Sequence, residues 1–284
     1  MTTISQALRI AQSQGLDRLD AQLLLLHALG KPVHDRAWLL AHDTDKVPAM
    51  AQVTLDTCVL RRVRGEPLAY ITGNKEFFGL NLAVDSRVLI PRPDTEGLVE
   101  WTLEVLLEVP NAQVIDLGTG SGAIALALKA TRSDLQVLAT DASTDALVVA
   151  RGNAHRLQLD VRFQQGSWFE TVSDQFHAIV SNPPYIAAQD KHLNELTHEP
   201  LQSLVCGSNG LDDLHHIINH ARSYLHPGGW LLLEHGYDQA STVRELLTGA
   251  GFKGVQSRRD LSGIERCSGG QASVGSSASA AKAV

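Results

Sequence analysis

Val114-Ile115-Asp116-Leu117-Gly118-Thr119-Gly120-Ser121-Gly122 is the stretch that decides the fold of this 284-residue chain. Its first four residues are typical of a short buried strand, its glycines form a tight turn, and the apolar run from Ala123 predicts a helix. Because glycine lacks a Cβ atom, a ligand can approach this turn closely, and the helix N-terminus favours a negative group. Asp141 ends the next predicted strand, where an acid can accept both hydroxyls of a ribose. The stretch therefore predicts a site for an adenosine-containing ligand, and its spacing leaves nicotinamide dinucleotides open.

Strands and helices alternate along the chain from Thr95 onward. The predicted strands span residues 114–117, 137–140, 161–164, 178–181 and 230–234. The predicted helices span residues 123–130, 145–157, 211–225 and 241–250. This alternation predicts an α/β fold of the Rossmann-like type, a mostly parallel sheet with helices on both faces.

The remaining segments differ in composition from this α/β region, which we place at residues 95–267. Residues 1–75 carry apolar positions at helical spacing and predict a small helical bundle. Residues 76–94 predict a β-hairpin linker that is closed by prolines. The Gly/Ser/Ala-rich tail, 268–284, predicts disorder, although it contains the tripeptide Gly269-Gly270-Gln271.

The composition favours a globular chain without a broad nucleic-acid surface. Hydrophobic residues make up 44% and charged residues 19%, and the net charge is −7. An excess of acidic residues argues against non-specific binding to phosphates. The three cysteines form no Cys-x-x-Cys pair, and we find no signal peptide or membrane-spanning run. We therefore expect a cytoplasmic protein without a metal site.

Asn182-Pro183-Pro184-Tyr185 directly follows the predicted strand 178–181. Neither proline can donate to a strand ladder, so the strand must end here, at the carboxyl edge where open α/β sheets bind ligands. The rigid segment presents two acceptors, the Asn182 side-chain oxygen and the Pro183 carbonyl. Together they can hold a planar NH₂ group, with the Tyr185 ring against its plane.

Together these motifs resemble the class I S-adenosylmethionine-dependent methyltransferases that methylate an amino group conjugated to a π-system. Two further stretches, Leu89-Ile-Pro-Arg-Pro-Asp-Thr-Glu96 and Tyr70-Ile-Thr-Gly-Asn-Lys-Glu-Phe-Phe-Gly79, resemble one branch closely. That branch is the HemK/PrmC family, the release factor glutamine methyltransferases. The resemblance extends from about residue 1 to Arg266.

The resemblance implies a function and a set of site residues. The methyl donor would be S-adenosylmethionine, with S-adenosylhomocysteine as product, and the acceptor would be the glutamine N5 of the Gly-Gly-Gln motif in release factors. The residues implied to bind the cofactor are Gly118, Thr119, Gly120, Ser121, Gly122, Asp141, Trp168 and Asn182. Those implied to bind the substrate or to act in catalysis are Asn182, Pro183, Pro184, Tyr185, Arg92 and Glu96.

The resemblance also implies that the helical domain docks the release factor. We further expect a monomer with no membrane contact and no direct nucleic-acid substrate.

Several alternatives stay open on the sequence alone. The Asn-Pro-Pro-Tyr motif serves an adenine NH₂ equally well, a ribosomal-protein glutamine methyltransferase is related, and a non-catalytic module could retain the cofactor. Trp168 could be a core aromatic, and Arg92 and Glu96 could form surface ion pairs. The cluster Arg61, Arg62 and Arg64 could be a solvated face or a docking site. The Gly269–Gln271 tripeptide could be a pseudosubstrate or a site of self-methylation.

Overall fold

A computed structural model describes residues 2–273 of the chain. The chain divides into two compact units between Asn74 and Lys75. Within residues 2–273, every helix is too short or too polar to cross a bilayer.

The first unit is a bundle of five helices. They are α1 (Ile4–Ser13), α2 (Arg18–Ala28), α3 (Arg36–Ala41), α4 (Ala49–Val63) and α5 (Leu68–Thr72). Thr3 starts α1 with a reciprocal capping box, and the Asp17 carboxylate caps α2 by accepting from the Asp20 amide at 2.7 Å. The core of the unit is formed by fully buried leucines of α2 packed with Leu55 and Val59 of α4.

A short hairpin of β1 (Asn74–Phe77) and β2 (Leu80–Ala83) follows the helices, and all of it except Asn74 belongs to the second unit. Phe78 and Gly79 form its turn with φ values of 49° and 75°, the left-handed geometry of a two-residue hairpin turn. The sequence predicted a β-hairpin linker over residues 76–94, whereas its strands begin at Asn74 and end at Ala83. Both backbone groups of Ala83 bond the Asn153 side chain, at 2.7 and 3.0 Å, so the ladder ends there and a loop follows.

Seven strands form the central sheet of the second unit. They are β3 (Gln113–Leu117), β4 (Gln136–Asp141), β5 (Arg162–Gln165), β6 (Phe176–Ser181), β7 (Leu225–Glu234), β8 (Lys253–Arg259) and β9 (Glu265–Gln271). Their order in the sheet is β5-β4-β3-β6-β7-β9-β8. The first five are parallel, whereas β9 pairs antiparallel with both β7 and β8. The sheet is therefore mostly parallel, as the sequence predicted.

Helices cover both faces of the sheet. They are α6 (Glu96–Val105), α7 (Ala123–Thr131), α8 (Thr144–Leu157), α9 (Asp212–Ala221) and α10 (Ala240–Gly249). Successive residues of β3 enter different cores, since Val114 packs in one apolar cluster and Ile115 in the other. Burial on both faces explains why the central strands β3 and β6 and the end of β7 are nearly continuous apolar runs.

The predicted disordered tail is wrong for its first residues, because Ser268 to Gln271 form the end of β9. A Cβ atom on Gly269 would lie 2.7 Å from the Leu231 carbonyl oxygen, and one on Gly270 would lie 2.9 Å from Phe252 Cβ. Glycine is therefore required by close packing at this position in the sheet, whereas the composition suggested a flexible segment. The rest of the predicted tail, 274–284, lies outside the described residues.

Replacing Gly269 by alanine tests this packing. We expect Gly269→Ala to lower the free energy of unfolding by about 1–3 kcal/mol, because the new Cβ overpacks against the backbone of β7. Gly249→Ala is the matched control, since nothing lies within 4 Å of that Cβ position. The urea midpoint measures both variants. An unchanged midpoint for Gly269→Ala contradicts the close packing.

Candidate active site

The register of the sheet aligns the ends of four parallel strands. Leu117 of β3 pairs with Thr140 of β4 and with Ser181 of β6, and Ser181 pairs with Leu233 of β7. The residue that follows each of these is Gly118, Asp141, Asn182 or Glu234. Three of the four line a cavity of about 550 Å³ at this edge, together with Trp168. That volume lies within the usual range for small-molecule sites.

The glycine turn is fastened to β4 and to the helix behind it. The amides of Gly118 and Thr119 both donate to the Thr140 carbonyl at 2.9 Å. Gly122 has a φ of 85°, and a Cβ there would lie 3.0 Å from Leu126 Cδ1, so only glycine fits between the turn and α7.

Asp116 supports the turn from below, although the sequence did not single it out as a site residue. Its Oδ2 accepts from Thr119 Oγ1 at 2.6 Å and from the Ala125 amide at 3.2 Å. Burial raises the pKa of this carboxyl to about 7, against the effect of both hydrogen bonds. The Thr119 hydroxyl therefore donates its proton to Asp116 and serves to hold the turn.

Three of the implied cofactor residues are absent from the cavity lining, namely Thr119, Ser121 and Gly122. The Ser121 carbonyl accepts from Asn153 Nδ2 at 2.9 Å, and Gly122 packs against α7. Each of the three thus has a structural reason for its place in the turn. Their contact with a cofactor stays a prediction.

Asp141 connects the cavity wall to the turn. Its Oδ2 accepts from the Gly120 amide at 2.9 Å and its Oδ1 from the Ser143 amide at 2.8 Å. Burial raises the pKa of Asp141, and the two backbone bonds oppose this shift. Each carboxylate oxygen has a second lone pair, so Asp141 can still accept two hydroxyl groups from a ligand.

Trp168 forms a flat wall of the cavity beside the glycine turn. A Cβ on Gly118 would lie 3.5 Å from Trp168 Cζ3, so the ring faces the turn closely. The φ of Trp168 is 49°, a conformation that is costly for a bulky residue and that clusters at ligand sites. The ring also packs partly against the second apolar cluster. Trp168 therefore serves the core and the cavity together.

Asn182 lies in the walls of two adjacent cavities. It lines the large cavity and also a smaller one of about 80 Å³, which Pro183, Tyr185 and Arg92 line as well. Asn182 Nδ2 donates to Thr95 Oγ1 at 3.2 Å, so Oδ1 is the atom of this amide that accepts from a ligand. The Tyr185 hydroxyl donates to Glu234 Oε1 at 3.4 Å. Burial is the main reason that the pKa of Tyr185 is raised.

Arg92 and Glu96, the two charged residues implied to bind the substrate, differ in position. Arg92 lines the smaller cavity and pairs at 2.5 Å with Glu199, whose other oxygen accepts from the Ile90 amide at 3.1 Å. Glu96 lines neither cavity that Asn182 lines. Its Oε1 instead accepts from the Phe78 amide at 3.0 Å, and its contact with substrate stays a prediction. Glu96 anchors the hairpin turn.

Two arginines of the basic cluster and the glutamine of the tail tripeptide have structural partners. Arg61 pairs with Glu66 and Arg62 with Asp20, both at 2.5 Å, inside the helical unit. Gln271 lies in β9 and donates from Nε2 to the Gly228 carbonyl at 2.8 Å. A glutamine held in the sheet cannot be presented to the cavity, so the hypotheses of a pseudosubstrate and of self-methylation are wrong.

Sequence reasoning missed four residues that the structure places in or behind the site, namely Thr95, Asp116, Glu199 and Glu234. Glu234 had a recognisable signal, because an acid directly after an apolar strand reaches the carboxyl edge of the sheet. No comparable sequence signal marks Glu199, because it lies in a loop and is distant in sequence from its partner Arg92.

Two family models match the chain, the PrmC N-terminal domain over residues 2–73 and the Methyltransferase small domain over residues 99–210. The release factor glutamine methyltransferase of Bordetella pertussis is 48% identical over 260 residues, which cover 90% of this chain and 95% of the relative. That of Coxiella burnetii is 47% identical over 251 residues, covering 88% and 90%. A solved methyltransferase structure from Pyrococcus furiosus matches with a TM-score of 0.54 at 19% identity, covering 76% of this chain and 98% of that chain. The predicted fold is thereby confirmed.

Replacing Asp141 tests its place in the large cavity. We expect Asp141→Ala to raise the dissociation constant of S-adenosylmethionine about 10–100-fold, since acceptors for two hydroxyls are lost and the Gly120 amide is released. Isothermal titration calorimetry measures this change. Asp160→Ala, at an exposed position, is the control and should bind like the wild type. Equal affinity in both variants contradicts the assignment of Asp141.

Proposed function

Since the chain belongs to the release factor glutamine methyltransferase family, we propose that it methylates the side-chain amide nitrogen, N5, of the glutamine in the Gly-Gly-Gln motif of peptide-chain release factors. The methyl donor is S-adenosylmethionine. The observation that carries the proposal is the position of Asn182, whose side chain lines the large cavity and the smaller one together. A cofactor in the first and a carboxamide in the second would meet at this residue.

The large cavity has the features that such a cofactor requires. The glycine turn leaves backbone open to close approach, Asp141 offers acceptors for ribose hydroxyls, and Trp168 offers a flat wall for an adenine. Bound S-adenosylmethionine supplies a methyl group that its sulfonium sulfur has already activated.

The smaller cavity suits a glutamine side chain. Asn182 Oδ1 and the Pro183 carbonyl accept the two amide N–H bonds, and Tyr185 lies in the same wall. A carboxamide nitrogen is a poor nucleophile because its lone pair is delocalised into the carbonyl. The two acceptors orient the nitrogen and become stronger partners as positive charge develops on it. The nitrogen–carbon bond forms as the carbon–sulfur bond breaks, and the amide proton then leaves to solvent.

We propose a protein substrate rather than a nucleic acid. The net charge of −7 gives the chain no general attraction for phosphates. The curated relatives are named for release factors and match over nearly their whole length.

The proposed function is tested with tritiated S-adenosylmethionine and purified release factor. Label is expected in the wild-type release factor and absent when the glutamine of its Gly-Gly-Gln motif is replaced by alanine. DNA and a ribosomal-protein extract serve as competing acceptors. Label that persists after the glutamine is replaced, or that appears only in DNA, overturns the proposal.

Asn182→Ala separates binding of the cofactor from transfer of the methyl group. Losing one preorganised acceptor typically costs about 10²–10³ in rate, so kcat should fall by that factor while the dissociation constant of the cofactor stays nearly unchanged. Asn219→Ala, on the exposed side of α9, is the control and should retain both values. If Asn182→Ala loses cofactor affinity and turnover in equal measure, the division of roles fails.

We also propose that the helical unit docks the release factor. The match to the PrmC N-terminal domain covers this unit, and α4 exposes Met50, Val53 and Leu60 along one side at 58–77% of their surface. Exposed apolar side chains that lie together on one helix mark a contact surface.

The double variant Met50→Gln with Leu60→Gln tests this surface. It should raise KM for the release factor several-fold without changing kcat, because a docking contact that is equally strong in the ground state and the transition state contributes only to binding. Leu107→Gln, which alters an exposed leucine of the other unit, should change neither value. An unaltered KM in the double variant excludes α4 as the contact surface.

A further inference from the structure

Glu234 is a buried acid that the proposed mechanism does not use. It is the last residue of β7, follows Leu233 at the aligned edge of the sheet and is 1% exposed. A carboxylate removed from water is costly unless other groups bond it. The groups that bond Glu234 therefore indicate its role.

Glu234 lies behind two residues of the substrate cavity. The Tyr185 hydroxyl donates to its Oε1 at 3.4 Å. The Thr95 hydroxyl lies near enough to favour the charged carboxylate, although Oε2 closes no hydrogen bond among residues 2–273. Thr95 Oγ1 in turn accepts from Asn182 Nδ2 at 3.2 Å. One carboxylate thus bonds Tyr185 directly and lies beside Thr95, the residue that bonds Asn182.

The polarity of this arrangement depends on Glu234 being ionised. An ionised carboxylate only accepts hydrogen bonds, so it attracts the proton of the neighbouring Thr95 hydroxyl and cannot donate to the Thr95 oxygen. The Thr95 oxygen is then free to accept from Asn182 Nδ2, which leaves Asn182 Oδ1 for the substrate. A neutral group at position 234 could donate to Thr95 instead. The Thr95 hydroxyl could then donate to Asn182. The Asn182 side-chain amide would flip, so that Nδ2 rather than Oδ1 faces the substrate.

We propose that Glu234 is a positioning residue, which acts through Thr95 and Tyr185 to hold Asn182 with Oδ1 presented to the substrate amide. The inference rests on the proposed glutamine methyl transfer. By this inference β7 contributes a residue to the site, although the proposed substrate contacts come from the loop after β6.

The protonation of Glu234 then links methyl transfer to pH. Burial raises the pKa of Glu234 to about 7, and Asp94 shifts it in the same direction. The Thr95 and Tyr185 hydroxyls and the Arg266 guanidinium oppose this shift, and Cys267 of β9 pairs with Glu234 across the strands. As pH falls through about 7, Glu234 becomes neutral, and kcat should fall with it.

The raised pKa of Glu234 also distinguishes a positioning role from a structural one, because the two roles predict different stabilities for a neutral variant. The folded chain holds the Glu234 proton up to about pH 7, whereas an ordinary glutamate loses it near 4.5. Ionisation between these pH values therefore lowers the free energy of unfolding. A neutral isostere should for this reason be at least as stable as the wild type at pH 8.

The experiment measures the kinetics of the full chain from pH 6 to 9 with release factor as substrate. Glu234→Gln is expected to lower kcat at pH 8 about 10–100-fold, to leave the cofactor dissociation constant unchanged and to remove the acid limb of kcat near pH 7. Its urea midpoint should equal or exceed that of the wild type. Thr95→Val combined with Glu234→Gln should cost less than the product of the two single effects, because both act on Asn182.

His235→Gln is the matched control, because His235 is buried beside Glu234 but bonds Ser268 Oγ at 2.7 Å and the Gly236 carbonyl at 2.9 Å. It should lower the urea midpoint and keep the pH profile of kcat. An active wild type whose kcat and acid limb survive in Glu234→Gln overturns this inference alone. A wild type that transfers no methyl group to the release factor overturns the proposed function and this inference with it.

Discussion

Parallel pairing between β4, β3, β6 and β7 is the constraint on which the site depends. Backbone hydrogen bonds align Thr140, Leu117, Ser181 and Leu233 in one row. The chain leaves each strand just beyond this row, so residues far apart in sequence emerge side by side. Because the pairing is buried on both faces by helices, a shift of register would move every apolar side chain to the wrong core. The geometry of the site is therefore held by the stability of the whole sheet.

Buried carboxylates organise the irregular backbone beyond that row. Asp116 binds the glycine turn from below, Asp141 binds it from the side, and Glu234 lies behind the Asn-Pro-Pro-Tyr segment. Burial raises the pKa of all three. Loops at a ligand site cannot satisfy their amides and hydroxyls through a ladder, and acidic side chains supply the missing acceptors. The electrostatic cost of burying them is opposed by the hydrogen bonds that they accept.

Local sequence patterns predicted the elements that depend on neighbours along the chain. The turn at Gly118–Gly122, the acid at Asp141 and the prolines after Asn182 follow from the conformations that single residues allow, and all three motifs contribute residues to the large cavity. The same patterns failed for Gly269 and Gly270. Their composition suggested a flexible tail, whereas neighbouring strands require residues without a Cβ atom there. The bond between Glu96 and the Phe78 amide was missed for a similar reason, since Phe78 belongs to a turn earlier in the chain.

The sequence by itself determined the parallel α/β class, the glycine turn, the two-proline corner and the family to which the chain belongs. Backbone sterics and apolar periodicity are local properties, and they are legible without coordinates. Only the tertiary structure showed that Asn182 lines two adjacent cavities and that Thr95 and Glu234 lie behind it. The pairing of Glu199 with Arg92 was likewise visible only in the structure. These relations join residues dozens of positions or more apart along the chain, so only tertiary folding brings them together. Strand order and register place Asn182 beside Glu234, and a loop brings Glu199 to Arg92.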